Sequence, residues 1–437
     1  MNSIVAVFKN KDVMRKILFT LLAFLIYKAA TYIHIPLINP DIISSFFDDA
    51  DSGVLGIANA FTGNALKNYS IIALGIGPYI TASIAIQLLQ MDIIPILKEW
   101  SEEGETGKQK INQLTRYLAI FLAFVQALAM TYAFRLNGDS IFDIGVATPT
   151  FFTYTYLAVI MTAGTAFLLW LSDQITLNGI GNGTSMIIVA GIVSGFPGMI
   201  SSMWAEYITA EGTFWEAEGV FILVMLIFVL VIFFVTVMQS SFRKVPIQYS
   251  NRPAGAKFQG KNDSHIPIKI NSAGVIPVIF AVTILSIPLT VLNFVPTLSA
   301  SGFGTVMSEL FTYQRPLGYA LYVALIFVFA FFYSFVQINP EKIAGNLQKQ
   351  NAYIPGVRPG VETENYISKT LFRITIIGAT YLVLVASLPI FASMIFDLPS
   401  YVQVGGTSLL IVVGVAIETT KQIKTQTQEQ NYSGFIK

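Results

Sequence analysis

"GIGPYITASIAIQLLQ", residues 75–90, decides how the chain is read. It sits in an apolar stretch of membrane-helix length, yet it carries two glycines, a proline, a threonine, a serine and two glutamines. Pro78 lacks an amide donor and is expected to bend the segment, while Gly75 and Gly77 let another backbone come close. Ile76, Ile80 and Ile84 recur every four residues and form one narrow aliphatic face. Thr81, Ser83, Gln87 and Gln90 are costly against lipid, which sets them against protein or water. The segment therefore belongs inside a helix bundle, although on spacing alone ordinary helix packing explains the isoleucine stripe as well as a functional face does.

Composition sets the surroundings. A chain of 437 residues that is 54% hydrophobic and 12% charged cannot hide its apolar surface in one soluble core, so it reads as a polytopic membrane protein. It has no Cys and two His, His34 and His265, which leaves almost nothing for a zinc, haem or iron–sulfur site, and no cofactor is expected. Lys9, Lys11, Arg15 and Lys16 precede an apolar run at 17–38 that exceeds a signal-peptide core, so the run is expected to stay as a first span. Nine more stretches are long enough to span: 71–89, 117–134, 154–171, 184–204, 220–238, 273–292, 317–336, 371–390 and 404–417. The second, fifth and tenth are diluted by Gly, Pro and hydroxyl residues.

With the N-terminus inside, every Lys and Arg falls on the inner side or its edge except Lys28, Lys67, Arg135 and Arg315. That asymmetry places both termini in the cytoplasm of a multi-pass protein of the cytoplasmic membrane. Ten spans divide as five plus five, which inverts one half relative to the other. Gly75-Ile76-Gly77-Pro78 and Gly274-Val275-Ile276-Pro277 interrupt the second span of each half. Paired breaks of this kind point to an inverted repeat with its working site at the interface, against a background in which Gly and Pro are common in membrane helices.

The stretches "GIGPYITASIAIQLLQM", "EWSEEGETGKQKINQLTRYLA", "LSDQITLNGIGNGTSMIIVAGIVSGFP", "KINSAGVIPVIF", "NAYIPGVRPGVETENYI" and "GGTSLLIVVGV" follow one another along the chain. In them the chain resembles the SecY family, channel subunits of the bacterial protein-export translocon. The resemblance implies an all-α membrane protein, with ten transmembrane helices as two inverted five-helix halves, 1–212 and 213–437, around a central pore with a re-entrant plug helix. It implies a protein-conducting channel for unfolded secretory polypeptides and signal peptides, opening sideways into lipid, and no enzyme. It further implies an aliphatic pore ring at Ile76, Ile80, Thr184, Ile188, Ile279 and Ile411, which would exclude ions by dewetting without gripping a passing chain. Thr184 stands where the family usually has an aliphatic residue.

Residues 52–68, "SGVLGIANAFTGNALKN", match the plug, with Val54, Leu55, Ile57, Asn59 and Phe61 as its members and Gly53, Gly56 and Gly63 expected to hold it weakly. Without the resemblance a solvated external loop accounts for the segment equally well. Gln87, Gln126 and Asn271 are the expected polar members of a lateral gate between spans two and three and spans seven and eight. Two basic loops, 239–272 and 337–370, present Arg243, Lys244, Arg252 and Arg358. Topology alone accounts for basic loops, but the resemblance makes them the docking surface for the SecA motor ATPase and the ribosome. Asn251 stands where the family often has a basic residue. SecE and SecG are the implied membrane partners. The competing class is a secondary transporter for a small solute, which also uses broken helices but usually couples ions through embedded carboxylates; no Asp or Glu lies within the ten apolar stretches.

Overall fold

The structure, a computed structural model, describes residues 10–39, 43, 59, 62–90, 94–136, 151–208, 218–249, 264–294, 301–313, 315–396 and 400–433. A helix stands at each of the ten apolar stretches. In the first half these are α1 (Lys11–Ala30), α2 (Gly77–Leu89), then after the short α3 (Pro95–Glu102) the long α4 (Glu105–Leu136), α5 (Phe151–Asn178) and α6 (Gly183–Tyr207). In the second half they are α7 (Glu218–Ser240) and α8 (Ile276–Phe294), then after α9 (Gly302–Phe311) α10 (Pro316–Gln337), and after α11 (Pro340–Lys349) α12 (Val361–Phe396) and α13 (Ser400–Ser433). α4, α5, α6, α7, α10 and α12 are each long and apolar enough to cross a membrane, and α2 and α8 are shorter apolar helices. Large apolar side chains also cover the outside of the bundle: Leu25 is 70% exposed, Val229 66% and Leu384 63%. Helices that are apolar on both inner and outer faces are solvated by lipid. The chain is an all-α, multi-pass membrane protein.

Two sequence expectations change at the first span. α1 starts on Asn10, whose side chain accepts from the amides of Asp12 and Val13, and ends at Ala30 well short of residue 38. Beyond it the chain is extended. The Ile35 amide donates to the Tyr69 carbonyl at 3.2 Å, the Ile71 amide to the Ile33 carbonyl at 3.0 Å, and His34 bridges Ser70. Branched Ile33 and Ile35 suit extended backbone, and Pro36 disfavours helix in the residue before it. Lys28 therefore lies in the last turn of α1 and not mid-span. There its charge complements the helix dipole, and its Nζ stands 5.1 Å from the Tyr32 ring centre.

The second span changes in the same way. Residues 71–76 form turns, and helix begins only at Gly77 with Pro78 in the first turn. Pro78 starts a helix there and does not bend one, because first-turn amides have no helical acceptor to lose. α8 repeats the device: helix begins at Ile276, Pro277 follows, and Gly274 precedes. Gly75 and Gly274 both take left-handed backbone, at φ 57° and 65°. Each break thus uses a glycine to reverse the chain and a proline three residues later to launch the helix.

At one end of the bundle two loops fold together. β1 (Phe242–Pro246) pairs antiparallel with β3 (His265–Lys269), and β2 (Gln248–Tyr249) with β4 (Ala352–Tyr353). Val245, Ile247 and Ile268 from one loop bury against Leu347 and Ile354 from the other and Leu371 of α12. The register sets Pro246 opposite His265 and Pro267 opposite Lys244. The flanking pairs make the ladder bonds, so the proline nitrogens face outward and blunt both edges of the β1–β3 pair.

Candidate pore, seam and docking surface

Four of the helices converge where the aliphatic ring is expected. Ile411 on α13 is buried with Ile192 of α6 and Val415 of α13, and Ile188 of α6 and Ile279 of α8 pack against them. Close approach is built in, since a Cβ on Gly414 would stand 3.0 Å from Val275. Ile76 lies in a neighbouring cluster with Ile187 and Ala190 of α6, and Ile80 packs against it. α6 links the two clusters, with Ile187 on one side and Ile188 on the other. Thr184 occupies the first turn of α6, half-buried. Its hydroxyl does not bond back along the helix: it donates at 2.6 Å to Oδ1 of Asn182, the residue that caps α6.

A second apolar junction joins α2 to α8 and α10. Ile84, Phe280 and Phe329 are buried together, with Ile80, Leu88, Ile276, Ile284, Leu325 and Phe332 around them. Phe280 meets Phe329 edge to face at 5.6 Å, and Tyr333 at 6.3 Å. Such ring pairs contribute about 0.5–1.5 kcal/mol each. α4 also touches α8, so this junction is a boundary between the first and second halves of the chain. The amides expected here bond locally. Gln87 Nε2 donates to Ser83 Oγ at 3.0 Å on its own helix, and Gln87 Oε1 is buried with no partner among the described residues. Asn271 is buried and donates at 2.9 Å to the Gly274 carbonyl, closing the turn that launches α8. Gln126 is half-buried on α4. The aromatic members were absent from the sequence reading, although Phe329, Phe332 and Tyr333 at three- and four-residue spacing are visible on α10.

Of the plug residues, Val54, Leu55, Ile57 and Phe61 lie outside the described residues. Asn59 organises the return of the chain: its side chain accepts from the Lys67 amide at 2.9 Å and bonds the Asn64 side chain at 3.1 Å. The return is held firmly. Tyr27 of α1 donates to the Thr62 carbonyl at 2.8 Å in a buried bond, and the Tyr69 hydroxyl pairs with Thr131 of α4 at 3.0 Å. Gly63 does not loosen it. A Cβ there would stand 2.5 Å from Ser194 Oγ and 2.9 Å from the Gly191 carbonyl, so glycine permits the segment to lie against α6. Sequence reasoning missed these tyrosine anchors.

The paired loops carry the basic residues. Arg243 and Lys244 are exposed on β1, and Lys244 Nζ stands 5.7 Å from the Phe242 ring centre. Arg358 is exposed on the tip that follows β4, between Gly356 (φ 82°) and Gly360 (φ 101°), and its carbonyl accepts from the Thr363 hydroxyl at 2.8 Å. The tip is fixed while the guanidinium is free to reach outward. Tyr353 donates to Gln248 Oε1 at 3.1 Å, tying the two loops into one basic platform. Arg252 lies outside the described residues. Among the described residues no group of three or more His, Cys, Asp or Glu side chains could hold a metal ion.

Comparison with known proteins agrees with this architecture. The SecY family model matches residues 70–420. Protein translocase subunit SecY of Bacillus licheniformis is 45% identical over 98% of this chain and 97% of its own, and that of Staphylococcus aureus is 42% identical over 99% of each. Among solved structures, the channel reported as "The structure of a protein conducting channel" superposes with a TM-score of 0.59 at 18% identity over 94% of this chain and 91% of its own. The yeast Ssh1 complex bound to the yeast 80S ribosome gives 0.63 at 14% identity over 92% and 89%. On the family match and whole-length identity together, the chain belongs to the SecY family.

Proposed function

We propose that this chain forms the protein-conducting channel of a bacterial translocase, passing unfolded secretory polypeptides across the cytoplasmic membrane and releasing apolar segments sideways into lipid. The observation that carries this reading is the meeting of Ile188, Ile279 and Ile411 from three helices beside an apolar junction between the halves. An apolar waist seals against ions yet makes no directional bonds to a passing chain. With Ile76, Ile80 and Thr184 these residues form the pore ring, and residues 52–68 plug it from the outer side. The α2–α8–α10 junction is the lateral gate, with Gln87, Gln126 and Asn271 at its margin; 1–212 and 213–437 are the two halves. Both termini and the basic platform lie in the cytoplasm.

Arg243, Lys244, Arg252 and Arg358 dock a motor ATPase of the SecA type or a ribosome. Exposed cations suit acidic protein patches and RNA phosphates alike, and the blunted edges of the β1–β3 pair leave side chains to do the recognising. SecE and SecG are the membrane partners, and signal peptides enter at the gate. The chain acts as a channel without catalysing a reaction.

Reconstitution tests this reading. Vesicles holding the purified chain with its membrane partners should protect a secretory precursor from added protease when motor and ATP are supplied. Gradient-driven uptake of a small solute, with no precursor protection, would overturn it in favour of a transporter.

A further inference from the structure

Gly181 is the knuckle between α5 and α6. Its φ is 85°, and a Cβ there would meet Met186 Cγ at 3.1 Å and Thr419 Oγ1 of α13 at 3.2 Å. Its amide donates at 2.9 Å to Oε1 of Gln422 on α13. The next residue, Asn182, caps α6 and holds Thr184. Gly181 therefore couples two helices that bring Ile188 and Ile411 together.

Further contacts follow along α13. Thr419 Oγ1 stands 3.6 Å from Met186 Sδ, and Lys16 Nζ of α1 donates to Gln426 Oε1 at 3.4 Å. Residues 419, 422 and 426 are three and four apart, so one face of α13 addresses the first half of the chain. Lys421 Nζ instead donates to the Gln239 carbonyl at 3.3 Å, holding α13 to α7. The apolar stretch ends at residue 417, but α13 runs on to Ser433. Ile411 precedes Gln422 by about 16 Å of helix, and Ile188 follows Gly181 by about 10 Å. The contact is thus remote from the waist yet rigidly joined to it.

We propose that the Gln422–Gly181 bond, supported by Gln426–Lys16, is a positioning contact that fixes the register of α6 against α13 and so keeps the resting waist closed. It rests on the reading of the ring above. Gln422 and Gln426 are positioning residues and touch neither the passing chain nor the ring side chains.

The test is resting ion current through the complete complex in planar lipid bilayers, for Gln422→Leu/Gln426→Leu, Gln422→Glu and Ile411→Asn. Leucine removes the acceptor and glutamate keeps one for the Gly181 amide. The double leucine variant should raise resting current roughly two- to tenfold, the range of about one net hydrogen bond, and Gln422→Glu should stay at the wild-type level. Should the double variant fail to assemble, Gln422→Met alone gives the same reading. Ile411→Asn separates the two ideas: if it raises the current while the leucine variants leave it unchanged, the positioning role fails and the ring stands. An unchanged current in Ile411→Asn overturns the ring and this inference with it. A current that rises as much with glutamate as with leucine shows that the acceptor is not what closes the waist.

Discussion

The two helix-launching breaks share a backbone and differ in what surrounds them. Gly75 and Gly274 take nearly the same left-handed φ, and each precedes a proline by three residues. Yet a Cβ on Gly75 would stand 2.7 Å from Thr62 Cγ2, whereas a Cβ on Gly274 would meet nothing within 4 Å among the described residues. The first break is wedged against a chain return that Tyr27 and Tyr69 bolt to α1 and α4. The second turn is closed by the Asn271 side chain and the Ser272 hydroxyl, and Val275 beside it packs on Gly414 of α13. The same local device thus serves a crowded glycine and one whose α-carbon faces open space, and the α2–α8–α10 junction lies between them.

The largest effect that could break this comparison is steric. Gly75→Val combines the left-handed penalty with overlap on Thr62 and should destabilise by about 3 kcal/mol or more. Gly274→Val meets open space and should cost about 1–2 kcal/mol, the left-handed penalty alone. Thermal unfolding midpoints in lipid-supplemented detergent measure both, and equal losses would erase the distinction. Thr62→Ser removes the methyl that Gly75→Ala would strike. The Thr62→Ser/Gly75→Ala double variant should therefore lose less than the sum of the single losses, leaving about the same penalty as Gly274→Ala. Strict additivity would show that Thr62 is not the obstacle.

Smaller effects sharpen the same contrast. Tyr27→Phe removes one of two donors to the buried Thr62 carbonyl, which keeps the Ala65 amide at 3.2 Å, and should cost about 0.5–1.5 kcal/mol. Tyr69→Phe should cost about 1 kcal/mol or less, because the Thr131 hydroxyl keeps its bond to the Ala127 carbonyl at 2.8 Å. Asn271→Asp replaces a donor with an acceptor facing the Gly274 carbonyl. It should lower stability by about 1 kcal/mol while raising the rate at which a signal peptide cross-links to α8, as expected if that tether limits the movement of α8. A stability loss with no change in cross-linking would make Asn271 a turn residue and nothing more.

Apolar length placed all ten helices in the sequence, because lipid demands about 20 residues of it wherever a helix crosses. It failed at residues 31–38, where Ile33 and Ile35 are as apolar as a helix but pair with residues 69–71 as extended chain. Pro36 was the available clue. Pro78 was misread as a bend because a proline's effect depends on its distance from the helix start, which the surrounding apolar residues conceal. The clustering of Ile188, Ile279 and Ile411 was expected from the family resemblance alone, and the stripe of Ile76, Ile80 and Ile84 from its four-residue spacing. Amides were expected among the members of the α2–α8–α10 junction, whose apolar contacts are aliphatic with Phe280, Phe329 and Phe332 among them. Gln87 finds Ser83 on its own helix, and only tertiary packing decides which neighbour Phe280 meets. The Gln422–Gly181 bond spans 241 residues, beyond any local pattern.

The most direct test of the central claim locks the seam. The chain has no native Cys, so Ile84→Cys with Phe280→Cys, which replace two side chains buried in one cluster, gives a single thiol pair whose oxidation and release are verified by free-thiol titration before each assay. With the pair oxidised, precursor protection in reconstituted vesicles should fall to background. Reduction should restore it, and either single cysteine should behave as wild type. Full protection with the oxidised pair would contradict the account, since polypeptide would then pass without α8 leaving α2.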